Sequence, residues 1–314
     1  MDKQDTSALA ILKKFFGYQD FRPLQGEIVK AIAEGQDSLV LLPTGGGKSI
    51  CFQVPALMKE GICLVISPLI ALMKDQVDQL KRRGVKAMAI HSGLRKREID
   101  TLLDNCVYGD YKFLYVSPER LKTELFIERF KKMKINLIAV DEAHCISQWG
   151  YDFRPSYLEI VKVRAYFPTV PMVALTASAT LKVRADIIDK LALKAPSVFV
   201  KSFRRENLSY SVRWVENKLE KAVEILQKVP GSAIIYTRSR KGTKAAAQQL
   251  NQLGVSATFY HAGLDQNVRN DRQGSWIRGD VRVMVATNAF GMGIDKADVR
   301  LVIHLDLPEN LENY

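Results

Sequence analysis

Two groups of residues in this sequence have the types and spacing to act on a phosphate. The first is Leu42-Pro43-Thr44-Gly45-Gly46-Gly47-Lys48-Ser49, which closes an apolar run and opens an apolar, helix-like stretch. Glycines let backbone N–H groups approach an anion without Cβ obstruction, and a helix N-terminus adds partial positive charge. In that setting Lys48 is placed to reach β- and γ-phosphates, and Ser49 to ligate Mg2+. The strict G-x-x-x-x-G-K-[ST] spacing lacks its first glycine, where Leu42 stands, so a glycine-rich turn without a ligand is the alternative. The second group, Asp141-Glu142-Ala143-His144, follows the apolar run Leu137-Ile138-Ala139-Val140. In a parallel sheet it emerges at the same edge as the glycine loop. Asp141 can hold Mg2+, usually through water, while Glu142 can orient and deprotonate the attacking water. Alone, the Asp-Glu pair reads as an acidic turn. Together with Lys48 and Ser49 it predicts Mg2+-dependent hydrolysis of a nucleoside triphosphate, with Lys48, Asp141 and Glu142 as the catalytic set.

These residues need elements that carry them to one edge. Short apolar runs alternate with amphipathic stretches, the pattern of a parallel α/β layer. Strands are expected at Ser38–Leu42, Cys63–Ile66, Ala87–Ile90, Phe113–Val116, Leu137–Val140, Met172–Leu175 and Val198–Val200. They are apolar throughout, as in a sheet covered on both faces. The helix expected over Leu69–Arg83 ends at Gly84, a C′ glycine. The alternation then restarts. Further strands are expected at Leu208–Trp214, Ala233–Tyr236, Ala257–Tyr260, Val281–Ala286 and Leu301–His304. Helices are expected at Lys218–Lys228 and Lys241–Leu253, the second stopped by Gly254. The polar stretch Ser202–Asn207 reads as a linker, dividing the chain into residues 1–207 and 208–314. Two α/β layers on a short linker leave a cleft between them, a common place for ligands.

At 314 residues the chain exceeds what one core usually organises. Its formal charge is +12; a cut near Leu208 leaves 32 basic and 23 acidic residues before it and 14 and 11 after it, an excess of +9 and +3. The clusters Lys81-Arg82-Arg83, Arg95-Lys96-Arg97 and Lys131-Lys132 with Lys134 suit a polyanionic partner. They suit solvated helix ends equally, and charge alone leaves both readings open. The four cysteines (Cys51, Cys63, Cys106, Cys145) lie far apart in or beside apolar stretches, so buried free thiols are expected rather than zinc ligands or disulfides. His261 and His304 have no partners at ligand spacing, and no zinc site is expected. No apolar run approaches the ~20 residues of a membrane span. The opening residues Met1–Asp5 lack a secretion-signal pattern, so a cytoplasmic protein is the expectation.

The phosphate loop and acidic motif resemble those of superfamily 2 helicases, and the surrounding motifs narrow the resemblance to the RecQ family. Phe16-Gly17-Tyr18-Gln19-Asp20-Phe21-Arg22-Pro23-Leu24-Gln25 is similar to the family's adenine-recognition motif. The resemblance implies that Tyr18 stacks on the base, Gln25 reads its edge and Arg22 assists. An amide carries both donor and acceptor, which suits adenine. Ser67–Gln76 and Ser117–Leu121 are similar to motifs associated with the nucleic-acid face. Ala174–Thr180, with Thr176 and Ser178, matches the motif that couples hydrolysis to movement. Ser178 stands where relatives more often carry threonine, and the hydroxyl is kept.

The stretch Cys145–Pro155 resembles RecQ's aromatic-rich loop and is the most discriminating motif. By resemblance Gln148, Trp149, Phe153 and Arg154 contact single-stranded DNA and signal to Glu142, with His144 in the coupling network. Aromatics after a strand also fill cores, but glycine and charged neighbours point to an exposed loop. In the second part, Ile234–Arg240, Tyr260–Leu264 and Val285–Lys296 follow in family order. Gly291 and Gly293 permit close backbone approach to nucleotide or DNA, and Asp295 is a candidate partner for the ribose or for an arginine across the cleft.

The implied architecture is α/β, with two RecA-like domains. Each is a mainly parallel sheet flanked by helices, and the ATP site lies in the inter-domain cleft. Residues 1–207 form the first domain, and residues 208–314 form the second, incomplete, stopping before the family's arginine-finger segment. The implied function is a 3′→5′ DNA helicase or translocase that uses ATP and Mg2+ on single-stranded and duplex DNA in recombination and repair. An RNA helicase is a second reading. An ATP- and DNA-binding fragment with little turnover is a third.

Overall fold

A computed structural model of the chain describes residues 8–91, 93–150, 152–202, 207–291, 294 and 296–307. The chain divides into two units, Met1–Arg205 and Glu206–Tyr314. In the first unit the apolar runs become strands β1 (Ser38–Leu41), β2 (Ile62–Ile66), β3 (Ala87–Ile90), β4 (Phe113–Val116), β5 (Ile135–Val140), β6 (Met172–Thr176) and β7 (Ser197–Val200). They form one sheet in the order β3-β4-β2-β5-β6-β1-β7, with parallel pairing throughout. β1, β2, β4, β5 and β6 are buried along their whole length, which is why they read as continuous apolar runs rather than alternating ones. Alternate side chains feed two cores, one on each face. One is built around Leu39, Leu64, Leu114 and Ile138, the other around Val40, Val65, Tyr115 and Ala139.

Helix ends follow the glycine signals. The helix Ile70–Arg82 stops where Gly84 turns left-handed at φ 75°, with Val85 N–H returning to Leu80 C=O at 3.0 Å. Gly254, at φ 78°, ends the helix Arg240–Gln252 in the same manner, with Val255 N–H donating to Leu250 C=O at 2.8 Å. These are the bonds that close a helix through a left-handed C′ residue.

A buried ion pair pins the N-terminal end of β1. The Asp37 carboxylate accepts from the backbone N–H groups of Met172 at 2.9 Å and Lys194 at 2.6 Å, and forms an ion pair with Arg164, whose Nη1 lies 2.6 Å away. Both partners are almost fully buried, so removing one leaves an uncompensated charge. Asp37→Ala is therefore expected to destabilise the first unit by about 3–5 kcal/mol, read as a lower midpoint in urea denaturation. Asp37→Leu combined with Arg164→Met should cost much less than Asp37→Ala. Equal losses would contradict this account.

The second unit holds a four-stranded sheet, β8 (Ser232–Tyr236), β9 (Ala257–Tyr260), β10 (Val283–Ala286) and β11 (Val299–His304), in the order β11-β8-β10-β9 and parallel throughout. Its core gathers Leu226, Ile235, Leu250, Val283 and Val285. The strand expected at Leu208–Trp214 does not form: the segment carries no strand and lies outside both sheets. Its alternation of Leu208, Tyr210, Val212 and Trp214 meets the side-chain requirement of a strand, but a strand also needs a ladder with a neighbour. Trp214 is fully exposed. The strand expected from Val281 begins instead at Val283.

Among the described residues, no helix is long and apolar enough to cross a membrane. All four cysteines are buried free thiols.

Candidate active site

The glycine loop joins the buried end of β1 to the helix Lys48–Met58. Gly45 and Gly47 sit at φ 76° and 78°, where L side chains are strained. Gly47 has a second reason to be glycine: a Cβ there would lie 2.2 Å from Gln25 Nε2. That amide donates to Gly47 C=O at 3.1 Å, and its oxygen accepts from Arg22 N–H at 2.9 Å. Arg22 in turn donates through Nη1 to Gly45 C=O at 2.6 Å. Arg22 and Gln25 thus brace the glycine loop. Gln25 is buried and spends its amide on the loop, whereas Tyr18 is half exposed and its ring is accessible. Thr44 is exposed, Ser49 is half-buried, and Lys48 lies across the loop with Nζ 3.3 Å from Leu42 C=O.

β5 lies two strands from β1 in the same parallel sheet, so Asp141 and Glu142 leave at the loop's edge. Burial pushes the Asp141 carboxyl up, and the Lys48 charge and the Glu142 N–H oppose it. The N–H of Glu142 donates to Asp141 Oδ1 at 3.0 Å. The buried Ser67 hydroxyl also favours the Asp141 charge, although it makes no hydrogen bond of ordinary geometry. Glu142 stands in a left-handed conformation at φ 48°. Burial first, then the neighbouring Asp141 charge, raises its carboxyl to about 7, with Lys48 opposing and Asp152 adding. One group near neutrality beside a second carboxylate is the arrangement a general base needs.

From the carboxylates a chain of contacts runs to the next strand. His144 Nδ1 lies 3.3 Å from Glu142 Oε2 and 2.9 Å from Thr176 Oγ1. Thr176 Oγ1 donates to Ser178 C=O at 3.1 Å, so it accepts from His144, which assigns the proton to Nδ1. Burial holds the imidazole down to about 4, so His144 is neutral around pH 7 and its contact with Glu142 is not an ion pair. Thr176 is fully buried at the end of β6, whereas Ser178 is exposed.

The aromatic loop follows directly. Gln148 and Trp149 are exposed, Trp149 to 63%, while Phe153 and Arg154 are half-buried. Arg154 pairs with Asp152 at 2.9 Å and reaches Pro68 C=O at 3.3 Å, tying this loop to the segment after β2. Gly293 and Asp295 lie outside the described residues. Among the described residues, no group of three or more His, Cys, Asp or Glu side chains has metal-binding geometry.

Sequence reasoning missed three residues that shape the site. Tyr157, fully buried, donates its hydroxyl to Asp141 C=O at 2.8 Å and so fixes the acidic motif from below. Asp152 orients Arg154, and Ser67 supplies the hydroxyl beside Asp141. Tyr157 has no local signal, since its partner lies sixteen residues away. Asp152 could have been found from its i, i+2 spacing to Arg154.

Residues 22–187 match the DEAD/DEAH box helicase family, and residues 217–314 match the helicase conserved C-terminal domain. The sequence is 44% identical over 309 residues to the ATP-dependent DNA helicase RecQ of Haemophilus influenzae, covering 98% of this chain and 50% of that protein. It is 43% identical over 310 residues to the ATP-dependent DNA helicase RecQ of Bacillus subtilis, covering 98% and 52%. The chain thus spans about half the length of these relatives. In fold, it is similar to the Mycobacterium smegmatis helicase Lhr bound to ssDNA and AMP-PNP, with a TM-score of 0.72, 18% identity, and coverage of 94% of this chain and 43% of that one.

Proposed function

The chain belongs to the DEAD/DEAH box helicase family as a RecQ-type core of RecA-like α/β units, and from that premise we propose that it is the ATP-driven motor of a 3′→5′ DNA helicase. The observation that carries this is the line of contacts from Glu142 through His144 to Thr176, with the aromatic loop joined to its base. Lys48 binds the β- and γ-phosphates, Tyr18 offers a face to the base, and Arg22 and Gln25 hold the loop in shape. Glu142 takes a proton from the attacking water, and Lys48 favours the charge on Asp141 against its burial.

Two adjacent carboxyls pushed up by burial, with Lys48 as the cation that opposes the shift, form a site whose charge a divalent ion would balance. The buried Ser67 hydroxyl beside Asp141 makes no hydrogen bond of ordinary geometry. The residues therefore fit Mg2+, with Ser49 and Asp141 as its protein contacts. Few protein ligands are usual for this ion, which supplies charge neutralisation on the phosphate oxygens when bound.

Trp149, Phe153, Gln148 and Arg154 form the contact with single-stranded DNA. Stacking on a base is worth roughly 1–3 kcal/mol and tolerates any sequence. The substrate assignment rests on relatives named as DNA helicases. Trp149→Ala is expected to remove the DNA-dependent increment in ATP turnover, measured as the ratio of rates with and without single-stranded DNA. An unchanged ratio defeats the role. Stimulation by RNA in place of DNA would move the assignment to an RNA helicase.

A further inference from the structure

The helix Leu181–Lys190 makes contacts that the motor described above leaves unused. Val183 and Ile187 seat one face in the core. On another face, Lys182, Asp186 and Lys190 fall four residues apart, a spacing that stacks side chains along one stripe. All three reach the aromatic loop or its base. Lys190 Nζ donates to Ile146 C=O at 3.3 Å and meets Asp186 Oδ2 at 3.2 Å. Asp186 Oδ2 accepts from Ser147 Oγ at 2.7 Å, and Ser147 Oγ accepts from Trp149 N–H at 3.2 Å. At the outer end, Lys182 Nζ stands 3.0 Å from the centroid of the Trp149 ring. Thr180 caps the helix, its hydroxyl accepting from Val183 N–H at 3.4 Å, two residues after Ser178.

We propose that this helix is a latch for the aromatic loop: Asp186 and Lys190 hold its base, and Lys182 covers the Trp149 ring until a nucleobase takes the ammonium's place. The inference rests on the reading that Trp149 stacks on bases. An ammonium and a base compete for the same π face, the ammonium through attraction to the ring's quadrupole and the base through stacking contact over the same surface. The cover costs the first base part of its stacking energy and keeps an exposed indole from other apolar surfaces. Lys182 acting as a phosphate contact would have the opposite effect on affinity, which makes the two roles separable.

The test is equilibrium binding of a fluorescein-labelled oligothymidylate, followed by anisotropy across a range of salt. It compares the chain with Lys182→Met, Trp149→Ala and the double variant. Methionine keeps the unbranched stem and removes the charge. Lys182→Met is expected to tighten binding about two- to five-fold with an unchanged salt slope, and to have no effect once Trp149 is alanine. Weaker binding with a salt slope reduced by about 0.7, the single-strand value for one phosphate contact, identifies a phosphate contact and overturns the latch. Unchanged binding by Lys182→Met overturns it too, while Trp149 keeps its role if Trp149→Ala weakens binding. If Trp149→Ala binds as tightly as the parent, the stacking reading fails and the latch falls with it.

Discussion

Lys48→Ala is expected to lower ATP turnover by at least about 100-fold, the scale on which a single charge-stabilising donor matters in a transition state. The lysine leads the helix Lys48–Met58 from a loop whose left-handed glycines leave no side chain between backbone and phosphate. It is also the cation that opposes the upward shifts of both Asp141 and Glu142. Two losses follow from one substitution: the positive charge facing the transferring phosphate disappears, and both carboxyls move further towards their neutral forms. Steady-state phosphate release in the presence of single-stranded DNA measures the result. Lys48→Arg is expected to rescue little, because a planar fork does not replace a compact ammonium in a close-fitting loop. Turnover within a few-fold of the parent in Lys48→Ala would remove the loop from the mechanism.

Glu142→Gln is expected to reduce turnover by about 10²–10⁴-fold while nucleotide still binds, so that ATP accumulates on the protein. The amide keeps the shape and loses the base. A pH dependence goes with it. The carboxyl is raised to about 7, and only its ionised form accepts a proton. Turnover of the parent should therefore rise as pH increases through about 7 and level off above, with His144 contributing nothing because its imidazole titrates near 4. The same shift has a stability consequence of fixed sign. A carboxyl that titrates higher in the fold than in the unfolded chain favours the folded state when protonated. Its contribution is present below the unfolded value of 4.5 and is lost as pH rises to about 7. Residual turnover in Glu142→Gln that keeps the parent's pH profile would show that another group is the base.

Much of the first unit can be read from its sequence because fully buried parallel strands are apolar on both faces. β2 and β5 stand out as Cys63–Ile66 and Leu137–Val140 without any knowledge of their neighbours. Gly84 and Gly254 announce helix ends because only the backbone conformation is at stake. The features that escaped depend on partners distant in sequence. Leu208–Trp214 has a strand's alternation, yet whether it pairs depends on an edge that the segment does not encode. Gln25 reads as a ligand for a base, and nothing in its neighbourhood in sequence shows that its amide also reaches the carbonyls of residues 46 and 47. Tyr157 and Asp37 look like an ordinary aromatic and an ordinary turn acid until Asp141, Met172 and Arg164 are brought beside them. The stripe Lys182, Asp186, Lys190 reads as a solvated helix face, and only the position of the aromatic loop gives it another use.

The most direct test of the account is calorimetric binding of a non-hydrolysable ATP analogue, with and without Mg2+, to the chain and to Asp141→Asn. The account predicts saturable binding that weakens markedly when Mg2+ is chelated. Asp141→Asn should lose most of that Mg2+-dependent gain. Binding that is indifferent to both the ion and Asp141 would contradict a magnesium-bound triphosphate gathered by Lys48, Ser49 and the β5 carboxylates.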